Sequence, residues 1–216
     1  MTVERSNSKL AEFYAFFESS GTERLNGLGE SYFIGMSDSE KEEAWNFLLK
    51  DYTLSGEQIT GLYHLDSNKA ISIFKEAITL PVAKPLYSAE QKALESNRLL
   101  MLKYINSLEP DEKYVTAMCA YSKSQFEEVR AEFAQSLPDR QITREAVESL
   151  QGMVFTETDS LAQASAISKL MLIHGMEFNR RDPIYKSIYL SLLSDDPKEK
   201  SAGISRLERH QAPDYI

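Results

Sequence analysis

All seven prolines of this chain fall between stretches with helical spacing, and no other feature limits the fold as much. A proline inside a helix removes an N–H and collides with the preceding turn. Pro81, Pro85, Pro110, Pro138, Pro183, Pro197 and Pro213 therefore divide the chain into helix-length pieces. Pro183 follows Asp182 and Pro197 follows Asp196, which predicts an aspartate capping the free amides and a proline already at helical φ in the first turn. Ser37 with Glu40, Ser55 with Gln58, Ser88 with Gln91 and Ser124 with Glu127 have the capping-box spacing, each ahead of an apolar periodic run.

Those runs recur at i, i+3, i+4 and i+7. Leu10, Phe13, Tyr14 and Phe17 mark one face; Ala44, Phe47 and Leu48 mark another, with Glu42, Glu43, Asn46 and Lys50 opposite. Leu99, Leu102, Ile105 and Leu108 form a stripe that Leu100, Met101 and Tyr104 widen, so that helix is expected to be buried on two sides. Ile184, Tyr185, Ile188 and Leu192 form a fourth stripe. Leu25, Leu28, Tyr32 and Phe33 fit a weaker helix across "ERLNGLGESYFIGM". Four-residue alternation and a hairpin signal between apolar runs are both missing. The expected class is all-α, in a single domain over 1–216.

The chain also repeats itself. "SAISKL" at Ser165 returns as "AGISRL" at Ala202, 37 positions on. At that offset Val147 aligns with Ile184, Phe155 with Leu192, Ile167 with Ile204 and Leu170 with Leu207. A second echo, at 56, sets Thr60 on Thr116, Leu62 on Met118 and Ile73 on Val129. Each unit reads as a helical hairpin, with Ala70, Ala166, Ala202 and Gly203 where two helices approach closely. A lone hairpin cannot bury its apolar face, so about five are expected to stack in chain order.

"DDPKEKSAGISRL" and, more loosely, "SGEQITGLYHLDSNKAISIFKEAI" resemble the HEAT-like repeat family in their Asp turn, small residue and spaced aliphatic pair. The resemblance implies a right-handed α-solenoid of antiparallel helical hairpins that binds partners on the concave face made by each second helix. The family's usual basic residue after the Asp is missing over 67–70 apart from Lys69, and Lys200 stands in place of arginine in the last unit.

With 24 basic and 33 acidic residues the net charge is −9, which disfavours adsorption to nucleic acid and anionic membranes. It also sets the chain apart from the HEAT-like alkylpurine DNA glycosylases, which need a basic surface for DNA. The single cysteine, Cys119, lies in "VTAMCAY" and reads as a small buried hydrophobe, with no internal disulfide to make. The N-terminus carries no apolar segment behind its charges, and a cytoplasmic location is expected. His64, His174 and His210 lack a Glu three residues before them, and the chain has no HExxH, CxxC, GxGxxG or P-loop. No catalytic residue, cofactor or metal is expected.

The expected function is protein binding. Second-helix polar faces present Glu42, Glu43, Asn46, Glu127, Glu128 and Glu132, with Lys75. Such a rim suits a basic partner, because complementary charge speeds association. "ERLNGLGESYFIGMSDSEKEEAWNFLL" resembles small bacterial immunity proteins, which implies neutralisation of a basic toxin domain by a protein that is monomeric until it binds. The alternative is an adaptor or subunit holding a substrate or partner for a separate enzyme.

Overall fold

The computed structural model describes residues 8–20, 24, 27–50, 54–80, 87–179 and 181–216. Among the described residues there are eleven α-helices and no strand, and the chain is all-α. It clusters into two compact units, Met1–Pro81 and Val82–Ile216.

In the first unit, α1 (Lys9–Glu18), a 3-10 turn (Glu30–Tyr32), α2 (Asp38–Leu48), α3 (Gly56–Leu65) and α4 (Ser67–Thr79) follow in order. The expected stripe of α1 meets that of α2 in an aromatic core. Phe13 has no exposed surface and lies edge-on to Phe17 and Phe47, with ring centroids 5.2 and 5.6 Å away. Both expected capping boxes form, Ser37 with Glu40 and Ser55 with Gln58. Gln58 does more, because its Nε2 donates to the Leu48 carbonyl at 2.9 Å and satisfies the end of α2. Gly61 lets α3 approach: a Cβ there would sit 2.7 Å from Leu28 and 2.9 Å from Leu48.

Over 27–36 the expected helix gives way to the short 3-10 turn, while Arg24 is helical. Gly27 and Gly35 take φ of +74° and +86°, values that break an α-helix and that glycine adopts without a Cβ clash. Leu28 and Phe33 are buried even so. Residues 21–23, 25 and 26, including Leu25, lie outside the described residues, as do Pro81 and Pro85.

In the second unit, α5 (Ser88–Leu108), α6 (Glu112–Cys119), a 3-10 turn (Ala120–Lys123), α7 (Glu127–Ser136), α8 (Arg144–Thr156), α9 (Ser160–Ile173), α10 (Pro183–Leu193) and α11 (Pro197–His210) build two layers. One layer sets α5, α7, α9 and α10 side by side; the other sets α6, α8 and α11. Pairs α5–α6, α8–α9 and α10–α11 join the layers. The final hairpin is crossed: α10 continues the layer of α9, and α11 that of α8.

That crossing explains where the 37-residue echo fails. Val147 is buried, but its counterpart Ile184 is 58% exposed; Phe155 is 42% exposed, but Leu192 is fully buried. Similar hairpins placed with opposite layer order turn different faces inward. Leu170 and Leu207 are both fully buried. Of the small residues expected at close approaches, Ala70, Ala166 and Gly203 are buried and Ala202 is exposed.

Asp182 and Asp196 cap α10 and α11 as expected, each accepting from an amide two residues on. Two other expected boxes do not form. Tyr87 precedes α5 without a side-chain cap, and Gln91 instead donates to Glu95. Ser124 stands outside α7, drawn onto Glu95 at 2.5 Å while its Oγ accepts from the Phe126 amide. Leu108, expected in the buried stripe of α5, is 38% exposed at the helix end.

Long side chains close the helix ends. Lys169 donates to the Leu137 carbonyl at 2.7 Å, and Lys200 to that of Val154 at 2.7 Å. Both place positive charge at the negative end of a helix dipole. After α11 the chain returns along the unit. Gln211 accepts from His174 Nδ1 at 2.5 Å, and Ile142 exchanges backbone bonds with Asp214 and Ile216 at 2.8 and 3.1 Å.

Candidate functional site

The expected site residues divide between the two units. Glu42, Glu43 and Asn46 are exposed on α2, with Glu43 accepting from the Tyr14 hydroxyl at 2.9 Å. Burial, then the bond to Glu43, raises the Tyr14 phenol above its ordinary pKa. On α7, Glu127 and Glu128 are exposed and Glu132 is half-buried. Lys92 of α5 reaches Glu128 at 2.9 Å. That bond holds the Glu128 carboxyl below the ordinary range. The Lys92 ammonium is stabilised first by Glu128, and further by Glu127 and Glu132. Three carboxylates around one ammonium leave the patch acidic. Lys75 stands on α4.

Cys119 is buried, and its thiol is pushed up to about 11, first by burial. Its Sγ donates to Val115 at 3.5 Å, so the group is packed as the sequence suggests rather than poised as a thiolate. His174 is 1% exposed and closes onto Gln211. His64 stacks on Phe33 with centroids 6.5 Å apart. His210 ends α11 and is exposed. Among the described residues no group of three or more His, Cys, Asp or Glu is arranged to hold a metal, and no helix is long and apolar enough to cross a membrane.

The more prominent surface feature lies beside α7. Helix α9 is apolar nearly all round, the pattern of a helix covered on every side. Here, though, α7 and α10 flank it, α8 lies beneath, and one stripe is left uncovered. Leu161, Ala164, Ser165, Ser168 and Leu172 follow each other at helical spacing along that stripe. Leu161 is 59% exposed, Ser168 is exposed, Ala164 and Leu172 are half-buried, and Ser165, bonded to Gln135, is buried.

Two clefts meet at Ser168. One, of about 440 Å³, is walled by Phe178, Tyr185, Tyr189 and Leu190 with Lys186 at its edge. The other, of about 360 Å³, runs over the α9 stripe to Gln135 on α7. Tyr185 stacks on Tyr189 with centroids 6.2 Å apart and meets Phe178 edge-on at 5.7 Å. Gln135 donates to Ser165 at 2.9 Å and fixes the α7 wall against the floor. Glu128, Glu132 and Gln135 share one face of α7 by their spacing, so the acidic patch runs into the groove.

Gly175 sets where the floor stops. At φ +76° it ends α9 in a Schellman turn, Met176 N–H to Met171 O and Gly175 N–H to Leu172 O, each at 2.9 Å. The chain can then leave toward Phe178 and the α10 wall.

Sequence reading found the α7 carboxylates but missed the groove. The available signal was "SLAQASAISKLMLIHG" itself, which offers apolar or small residues on more than one helical face. Comparison with protein-family models, with curated proteins and with solved structures finds no match for this chain.

Proposed function

We propose that this chain is a protein-binding helical module whose partner is basic, and that it neutralises that partner by direct binding, as an immunity protein does a toxin domain. The observation that carries the reading is the acidic patch of α7 running into the uncovered stripe of α9. Exposed carboxylates steer a basic partner, and exposed apolar surface holds it once docked. The layered packing of α5–α6, α8–α9 and α10–α11 supports a short HEAT-like stack, with the crossed last hairpin closing it. On this reading the protein acts in the cytoplasm as a monomer that meets its partner there.

The test is kinetic. A partner recovered from the source cell by affinity capture would be purified, and its association rate measured against ionic strength. Glu127→Lys and Glu132→Lys are the informative reversals, because Glu43 and Glu128 also serve internal bonds to Tyr14 and Lys92. The rate is expected to fall with salt and to drop about tenfold in the double reversal. An acidic partner, or a rate indifferent to salt and to both reversals, would contradict the reading.

One observation favours a second reading, a subunit held permanently by a larger enzyme. Phe178 and Leu190 are 69% and 52% exposed within one cleft, and standing apolar patches mark stable interfaces. A partner that remains bound in stoichiometric amount through high salt would support this second role.

A further inference from the structure

Resting on the protein-binding reading, we infer that the groove over α9 takes one amphipathic α-helix of the partner, with its basic flank toward α7. A helix fits the groove's shape. From Leu161 to Leu172 the floor runs about 16 Å, at about 1.5 Å per residue, or about three helical turns. Its centre is built from Ala164, Ser165 and Ser168, and small residues let a second helix axis approach closely. Its ends carry Leu161 and Leu172, and one side opens into the aromatic cleft of Phe178, Tyr185 and Tyr189. A large apolar side chain from the docked helix would fill that cleft, with its neighbours one turn away lying along the small-residue floor.

Charge sets the orientation. The α7 wall carries Glu128 and Glu132 in line with Gln135, whereas the α10 wall carries Lys186. A helix with Lys or Arg along one flank complements the first wall, and an uncharged or acidic opposite flank avoids repulsion at the second. Lys169 also lines this cleft, but its ammonium is spent at the C-terminal end of α7 on the Leu137 carbonyl and Asp139, whose carboxylate balances its charge. Apolar spacing at i, i+3, i+4 and i+7 is the general grammar of helix-in-groove recognition.

The test uses the full-length protein labelled with nitrogen-15 and two synthetic amphipathic peptides of about 18 residues. Both carry leucines at i, i+3, i+4 and i+7; one has lysines along a single flank, the other glutamates at the same places. The lysine peptide is expected to bind at least about tenfold more tightly, with amide shifts concentrated on 161–172 and 183–190. Ser168→Arg, a change at an exposed position, is expected to weaken it about tenfold while leaving the spectrum otherwise native. Equal binding of the two peptides, or shifts centred on α6, α8 or α11, would overturn the groove assignment. If the captured partner then bound the Ser168→Arg protein as well as wild type, protein binding would stand and only its place would be wrong. Sedimentation of the free protein covers the other occupant. A concentration-dependent dimer lost in Ser168→Arg would assign the groove to a second copy and overturn the proposal.

Discussion

Lys169 and Lys200 are among the most buried charged side chains described, at 8% and 7% exposure. Each spends its hydrogens on carbonyls at the end of another helix, so a charge is stabilised by a dipole as well as by a bond. Lys169 also meets Asp139, whose side chain is 59% exposed. Removing the exposed partner leaves the ammonium its carbonyl and access to water; removing the lysine strips a buried carbonyl. Asp139→Ala is therefore expected to cost under about 1 kcal/mol. Lys169→Met and Lys200→Met are expected to cost about 2 kcal/mol each by urea denaturation. The reverse ranking for the Lys169–Asp139 pair would show that the ion pair matters more than the helix end.

Glu40 gives a residue-scale pH test. Its carboxyl is lowered to about 2, first by the Ser8 hydroxyl and then by the Ser37 amide and hydroxyl. The distances are 2.6, 2.8 and 2.8 Å. A depressed pKa means that the bonds contribute fully above the ordinary 4.5 and are lost as pH falls toward about 2. Ser8→Ala is expected to move the carbon-13 carboxyl titration of Glu40 upward, toward the ordinary range. An unchanged midpoint would assign the shift to the capping box alone.

At the scale of elements, Arg130 fixes the start of α7 to the turn between α8 and α9. Its Nε and Nη2 reach Glu157 at 2.6 and 2.9 Å, and its Nη1 donates to Ser124. The Glu157 side chain is 4% exposed and also accepts from the Thr158 and Asp159 amides. Breaking a buried pair strands the remaining charge, so Arg130→Ala is expected to cost about 3 kcal/mol. Arg130→Lys should recover only part of that, because it cannot make the paired bond. The Arg130 guanidinium is also the leading cause of the depressed Glu157 pKa. This contribution is present above the ordinary 4.5 and weakens as pH falls below it. Equal stability of Arg130→Lys and wild type would contradict the bidentate role.

Gly61 bears on helix spacing in the first unit. A methyl there meets Leu28 and Leu48, which are 1% and 0% exposed and have little room to move. Gly61→Ala is expected to destabilise by about 1 kcal/mol, after the better helix propensity offsets part of the overpacking. A stabilised variant would show that the packing around α3 yields.

Helix identity was legible in the chain because prolines, Asp caps and apolar stripes act locally. Asp182 and Asp196 start helices as the sequence implies. Failures arose where a distant residue competed for a local signal. Ser124 has the spacing of a cap, but Glu95, 29 positions away, takes its hydroxyl. In 27–36 the hydrophobic spacing fitted a helix, but glycines at positive φ turn the backbone out of one.

For the whole molecule, the division at Pro81 and Val82 makes a physical claim. The second unit carries its own two-layer core, with Ile105, Phe133, Leu150 and Leu170 all fully buried. A fragment spanning 82–216 is expected to retain helical circular dichroism and melt cooperatively. A fragment that melts without a transition would contradict the independence of that core.

The site was legible only in part. The α7 carboxylates can be read from the chain, because exposed charges on a polar helix face need no tertiary knowledge. The groove cannot, because it exists only where the crossed final hairpin brings α10 beside α9. The aligned "SAISKL" and "AGISRL" suggest equivalent faces, but α9 and α11 lie in different layers.

Amide hydrogen exchange of the full chain, free and with its captured partner, tests the binding face most directly. The expected result is slowed exchange over 161–172 and 183–190 in the complex, with 127–135 affected at the rim. Slowed exchange confined to α6, α8 and α11, with those segments unchanged, would contradict it.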